Sequence, residues 1–289
     1  MKKTSPVLRA AETVMRVLLT ACGLAAVGFV IVITGYLVVS GIPAIREVGL
    51  IEFLAGTVWK PSTDQFGILP VILTSVLGTF GAILIGVPLG LLFAIYLGKM
   101  APKPVYQVLR PTVDLLSGIP SVVYGLVGMM VLVPFVREAF HVADGVGLFS
   151  SIIVLTVMVL PSIISVSETA LKAVPREYEE ASLALGATWN ETVFKVSFPA
   201  AKSGIAASVV LGIGRAVGEA MAIMMVCGNV ANMPSLFSSV RFLTTAIAGE
   251  MSYSSGLHRQ ALFSVALILY CFIMLINIVL NTLLKRKKG

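Results

Sequence analysis

The chain has 289 residues, of which 57% are hydrophobic and 12% charged, with a mean hydropathy of +0.99. Soluble globular domains carry about 25% charged residues, so this composition excludes a water-soluble enzyme or binding module and places the chain in a bilayer. Lys and Arg outnumber Asp and Glu by 21 to 14; in a membrane protein that excess encodes topology, and no nucleic-acid partner is expected.

The expected fold class is an all-α integral membrane protein of six transmembrane helices forming a single transmembrane domain over residues 1–289. Each span is long enough for the ~20 residues that cross a ~30 Å hydrocarbon core. The first span is expected near 18–40. It follows Lys2, Lys3, Arg9 and Arg16 like the start of a signal peptide, but has no small-x-small cleavage context and reads as a retained helix. An outer loop at 41–66 contains Pro43, Trp59 and Pro61. The second span, near 69–97, carries Gly81, Gly86, Pro88 and Gly90, which suggest a bend or a close helix contact. The third, near 112–136, and the fourth, near 148–171, contain kink signals at Gly118-Ile119-Pro120 and Pro161-Ser162.

The fifth and sixth spans are expected near 204–228 and 261–284, separated by an outer loop at 229–260. Cys22, Cys227 and Cys271 fall in or beside apolar stretches without metal-ligand spacing and read as buried small hydrophobes. No metal site is expected.

Placing the N-terminus inside puts Lys2, Lys3, Arg9, Arg16, Lys99, Lys103, Arg110, Lys172, Arg176, Lys195, Lys202, Lys285, Arg286, Lys287 and Lys288 on the cytoplasmic face. The outer face keeps only Arg46, Lys60, Arg137, Arg241 and Arg259. Basic residues concentrate on cytoplasmic loops, so both termini are expected in the cytoplasm.

Between the fourth and fifth spans lies a loop, 172–203, rich in charge and helix formers. Pro175 suits a helix start, and Glu177, Glu179 and Glu180 place negative charge at its positive end. Gly186 can adopt the left-handed conformation that ends such a helix. Thr188 or Asn190 can cap a second helix, whose apolar face comprises Trp189, Val193 and Val196. Pro199 is expected to break the pattern before the fifth span. An ordinary interfacial loop would satisfy the same physics.

The particular residues narrow the choice. Glu180-Ala181-Ser182, Gly186, Val196, Phe198 and Pro199 resemble the cytoplasmic loop motif of ABC importer permeases: Glu-Ala-Ala, three residues, Gly, nine residues, Ile, one residue, Leu-Pro. Both gaps are intact, while Ser182, Val196 and Phe198 depart from the common residues. The resemblance implies the type I importer permease fold and a coupling helix gripped by an ATP-binding subunit, with Glu180, Ala181, Gly186 and Pro199 in the coupling loop. The chain contains no G-x-x-x-x-G-K-[ST] phosphate loop, so ATP and Mg are expected in a partner and the chain itself is not expected to be an enzyme.

The fifth span contains Arg215 and Glu219, four residues apart and expected on one helix face. Gly214 and Gly218 would admit a neighbouring helix. A charge at mid-bilayer costs roughly 2.5–3.5 kcal/mol even on the gentler scales. Two readings fit: a static pair that locks helices or subunits, or a site where Arg215 meets an anion in transit and Glu219 keeps binding weak enough for release.

The stretch Leu211 to Ala222, the Asn229 turn and the Ala246–Glu250 region together resemble phosphate-specific importer permeases, closest to the C-type (PstC-like) member of the paired permeases. In that family the Arg and Glu are implicated in translocation, which implies substrate-path roles for Arg215 and Glu219. The implied partners are a homologous second permease (PstA-like), an ATPase dimer (PstB-like), an extracytoplasmic phosphate-binding protein (PstS-like), phosphate and membrane lipid. The implied location is a prokaryotic plasma (inner) membrane. Sulfate or molybdate would suit Arg215 equally, and a self-contained ion-coupled transporter is the rival in kind. Glu168 with Lys172 and Arg110 with Asp114 read as surface pairs, and His141 and His258 as solvated loop residues.

Overall fold

The computed structural model describes residues 6–286. Lys2, Lys3, Lys287 and Lys288, which contribute to the expected orientation, lie outside the described residues.

The chain opens with α1 (Pro6–Val48), which continues through Pro43. A short helix α2 (Leu50–Ala55) and a two-stranded antiparallel hairpin follow, β1 (Trp59–Lys60) pairing with β2 (Gln65–Phe66). The segment expected as an outer loop from residue 41 is thus largely ordered structure. Its anchor is tertiary: Ser264 Oγ donates to the Gly41 carbonyl, and Ala44, Phe53, Phe66 and Ile68 share a buried cluster with Val71 and Val265.

Next come α3 (Leu69–Ile95), ending in a π turn at Tyr96–Met100, and α4 (Lys103–Gly118). After these, α5 (Ser121–Val127) leads through a π turn at Gly128–Leu132 into α6 (Val133–Ala139). The third span therefore covers Ser121–Ala139 instead of 112–136. The reason is local: Ile119 and Pro120 are extended, with ψ of 129° and 138°. The residue before proline disfavours the helical region, so α4 stops as a separate amphipathic helix.

The central helix α7 (Leu148–Lys172) is followed by α8 (Arg176–Ala184), α9 (Trp189–Thr192), a π turn at Val193–Ser197, and α10 (Phe198–Ala200). Then come α11 (Lys202–Gly218), α12 (Met221–Val226), α13 (Leu243–Glu250) and α14 (Gly256–Arg286). Among the described residues five helices are long and apolar enough to cross a membrane, and the number reaches six when the pair bent by 70°, Trp189–Ala200 with Lys202–Gly218, is counted as one span. The chain is a multi-pass membrane protein.

The packing core is the contact of α3 with α7. Cβ atoms added at Gly81, Gly86 and Gly90 would come within 2.7, 2.9 and 2.8 Å of Ile152, Val159 and Ile163. The absent side chains therefore let the two backbones approach closely, which is how helices associate where lipid removes the hydrophobic drive. On its other face α7 packs against α11, where buried Ser167 and Ser208 join hydroxyl to hydroxyl at 2.7 Å. At the periphery α1 lies along α14, with Thr34 Oγ1 donating to the Tyr270 hydroxyl at 2.9 Å. Cys227 is buried as expected, but Cys22 and Cys271 are exposed, because they sit on the outward faces of α1 and α14.

Candidate substrate path and coupling segment

The helix-turn-helix between α7 and α11 arises from its own sequence. Pro175 precedes the first turn of α8, which carries Glu177 and Glu179. Gly186 takes φ +87°, a left-handed conformation in which a side chain would be strained. Thr188 caps α9: its hydroxyl accepts from Glu191 N–H, while the Glu191 carboxylate accepts from Thr188 N–H at 3.0 Å. Together with the Lys195 ammonium, those bonds hold the exposed Glu191 carboxyl at about 2. Pro199 does not break the path to the fifth span. It occupies the first turn of α10, where its missing N–H costs nothing, and the 70° bend falls after it, at Ala201 (φ −80°, ψ 0°).

The segment is fixed to the membrane helices through Glu179. That carboxylate is 8% exposed, meets Lys99 Nζ at 2.5 Å and accepts from Ser197 Oγ at 2.7 Å. Burial alone would raise its pKa, but the hydrogen bonds from Lys99 and Ser197 outweigh burial and hold it below the ordinary carboxylate value. Trp189 Nε1 donates to the Lys99 carbonyl at 3.0 Å, and Ser182 and Thr192 hydroxyls meet at 2.9 Å across the turn. Glu180, Ala181, Gly186 and Pro199 remain exposed, and so does Leu185, at 90%. The segment is therefore rigid behind and apolar in front.

The fifth span departs from expectation at its site. α11 ends at Gly218; Glu219 is extended (φ −74°, ψ 128°) and Ala220 is non-helical before α12 begins. Arg215 and Glu219 thus do not share a helix face, and they form no ion pair among the described residues. Instead Arg215 NH1 donates to Ser162 Oγ on α7 at 3.0 Å. Glu219 Oε1 accepts from Ala222 N–H at 2.9 Å, and the Glu219 carbonyl accepts from Thr244 Oγ1 at 2.7 Å. Gly214 and Gly218 have open space where a Cβ would stand, so the close approach they were expected to permit is not made within this chain. A helix that stops inside a membrane leaves its last carbonyls unpaired, which is tolerated only within protein or along a water-filled cavity.

Two further clusters were only half visible in the sequence. Glu168 is 2% exposed, so its pair with Lys172 (2.7 Å) is no surface feature. Tyr106 donates to it at 3.0 Å and Arg110 pairs with it, while Arg110 also meets Asp114 at 2.9 Å. The two expected i, i+4 pairs are thus one network joining α4 to α7. On the opposite face, Glu250 accepts from Trp59 Nε1 at 3.0 Å and pairs with Arg241 and His258. His258 is therefore no solvated loop residue; its ring stacks on Phe66 with an interplanar angle of 27°. His141 stays exposed, with φ +52°. Among the described residues no group of three or more His, Cys, Asp or Glu side chains is arranged to hold a metal ion.

Six spans, a broken fifth span and a rigid apolar turn between spans four and five define an importer permease fold. The inward-facing MetNI methionine ABC transporter (CY5 native crystal form) shares it with a TM-score of 0.63, at 22% identity over 79% of this chain and 99% of that chain. Residues 86–288 match the family model described as binding-protein-dependent transport system inner membrane component, and the chain belongs to that family. It is 39% identical to the probable ABC transporter permease protein YqgH of Bacillus subtilis (strain 168), over 94% of this chain and 91% of that protein. It is also 34% identical to the phosphate transport system permease protein PstC of Mesorhizobium japonicum, over 81% of this chain and 78% of that protein.

Proposed function

We propose that this chain is the PstC-like permease subunit of an ATP-driven phosphate importer in a prokaryotic plasma membrane, with both termini and the 172–203 segment in the cytoplasm. The observation that carries the reading is Arg215: an intramembrane cation beside a break in its own span, whose one hydrogen bond among the described residues goes to a neutral hydroxyl. Its planar fork can meet two oxyanion oxygens at once. The identity to PstC proteins favours phosphate over sulfate or molybdate.

The coupling segment would be the lever. Leu183, Leu185, Trp189 and Phe194 present apolar surface to a groove on a separate ATPase, Gly186 sets the turn, and Glu180, Ala181 and Pro199 flank it. A sister permease completes the path, and an external binding protein delivers phosphate to the face bearing the hairpin and α13.

The test is uptake by proteoliposomes holding the full transporter with phosphate-loaded binding protein. Arg215→Gln should abolish phosphate uptake with assembly intact, and this chain alone should move no phosphate. Normal uptake by the Arg215 variant would remove that residue from the path.

A further inference from the structure

Resting on the phosphate-path reading of Arg215, we infer that Thr244 is a positioning residue that latches the fifth span in its broken form and so keeps Arg215 from being neutralised by Glu219. The juxtaposition that carries it is Thr244 Oγ1 donating to the Glu219 carbonyl at 2.7 Å across the break, while Arg215 binds Ser162 on the other side.

The physics turns on one carbonyl. In a continuous helix the oxygen of Glu219 would accept from the N–H four residues on, and its side chain would lie one turn from Arg215, in pairing position. In the broken form that oxygen has lost its helical partner, and Thr244, itself 8% exposed, supplies the replacement. The carboxylate is held away as well, because its Oε1 accepts from Ala222 N–H at 2.9 Å. Two of the groups released by the break, the Glu219 carbonyl and the Ala222 N–H, thus have named partners, one from α13 and one from Glu219 itself.

The consequence is electrostatic. A guanidinium paired with a carboxylate in a partly desolvated site has little attraction left for phosphate, since the attraction between close charges grows as water is removed. The same residues can therefore present a free cation when the span is broken and a neutral pair when it is continuous. Binding and release of the anion would follow the state of the break. Thr244 acts only on the broken form, because the continuous helix has no vacant carbonyl for it to serve.

The state of the guanidinium can be read directly by phenylglyoxal labelling of Arg215, followed by mass spectrometry on the complete transporter in lipid nanodiscs. Thr244→Val should lower the labelling rate about threefold or more, since it strands a carbonyl only in the broken form. Thr244→Ser, which keeps the donor, should label like the unmodified protein. Glu219→Gln keeps the acceptor for Ala222 but removes the competing charge, so Thr244→Val should have no effect on labelling in that background. Unchanged labelling in Thr244→Val, or an equal loss in both backgrounds, overturns the latch. Uptake by Arg215→Gln tests the phosphate path separately, so failure of the latch leaves that reading standing, and the converse is equally visible.

Discussion

The contact between α7 and α11 can be tested at one atom. An added Cβ at Gly204 would stand 2.3 Å from Ala170 Cβ. Carbon atoms rest about 3.5–4.0 Å apart, so Gly204→Ala requires the helices to part by roughly 1.2 Å or more. Ala170 Cβ is bonded directly to backbone and cannot swing aside. One turn along α11, the Ser167–Ser208 hydroxyl contact at 2.7 Å would be stretched towards loss. Overpacking typically costs ~1–3 kcal/mol, and a lost hydroxyl bond adds about 1 kcal/mol. The assay is thermal unfolding of the purified transporter beside phosphate uptake. Gly204→Ala should lower both, and Ala170→Gly should restore them by removing the atom that clashes. If Gly204→Ala is as stable as the unmodified protein, or if Ala170→Gly fails to rescue it, α7 and α11 do not pack this closely.

Other consequences follow from the coupling segment and the buried acids. Gly186→Val should leave assembly intact but lower uptake per ATP hydrolysed: nothing lies within 4 Å of its Cβ, so the cost is the left-handed backbone, roughly 1–2 kcal/mol, and the shape of the turn. Glu179 has a pKa below its usual 4.5, so its pair with Lys99 contributes fully at neutral pH and is lost as pH falls through the lowered value. Protease cleavage between α7 and α11 should therefore accelerate only in acid below about pH 4.5, and Glu179→Ala should expose that site at pH 7 by leaving Lys99 nearly buried without its partner. Glu168→Gln should destabilise the protein by a few kcal/mol, measured as a drop in melting temperature, because two cations and a tyrosine hydroxyl converge on that carboxylate.

What the sequence displays depends on the range of the forces involved. Apolar length pointed to the long helices but misplaced the third, which covers Ser121–Ala139, whereas backbone rules of short reach gave Gly186 at φ +87° and the Thr188 cap, because both are settled within four residues. The i, i+4 spacing of Glu168 with Lys172 and Arg110 with Asp114 was equally plain. That Arg110 also pairs with Glu168 was not, since 58 residues separate them and only the packing of α4 on α7 joins them. The break at Glu219 was hidden for the same reason. Spacing alone predicts a continuous helix through Arg215 and Glu219; Thr244, 25 residues away, supplies the bond that stabilises the alternative. Gly218 beside Glu219 was the one local sign of it, and Pro161-Ser162 marked the Arg215 partner without revealing its role.

The arrangement also explains how a force on the coupling segment would reach Arg215. α11 runs unbroken for 17 residues from the bend at Ala201 to the break at Glu219, a rod about 25 Å long. A tilt of only about 6° at the bend moves its far end by roughly 2.5 Å, as much as separates a hydrogen bond from none. Ser167–Ser208 and the Gly204 contact couple α7 to α11, so Arg215 and Ser162 travel together. α13 has anchors of its own: Glu250 at its end is tied to Trp59, Arg241 and His258, and at its start Leu243 N–H donates to Ser75 of α3 at 2.8 Å while Phe242 packs among α7 side chains. Any displacement of the far end of α11 relative to α13 would be felt at the bond from Thr244 to Glu219. On the proposed reading, a lever that ends on the carbonyl deciding whether Arg215 is free or paired would need no further relay to couple hydrolysis in a partner to the passage of an anion.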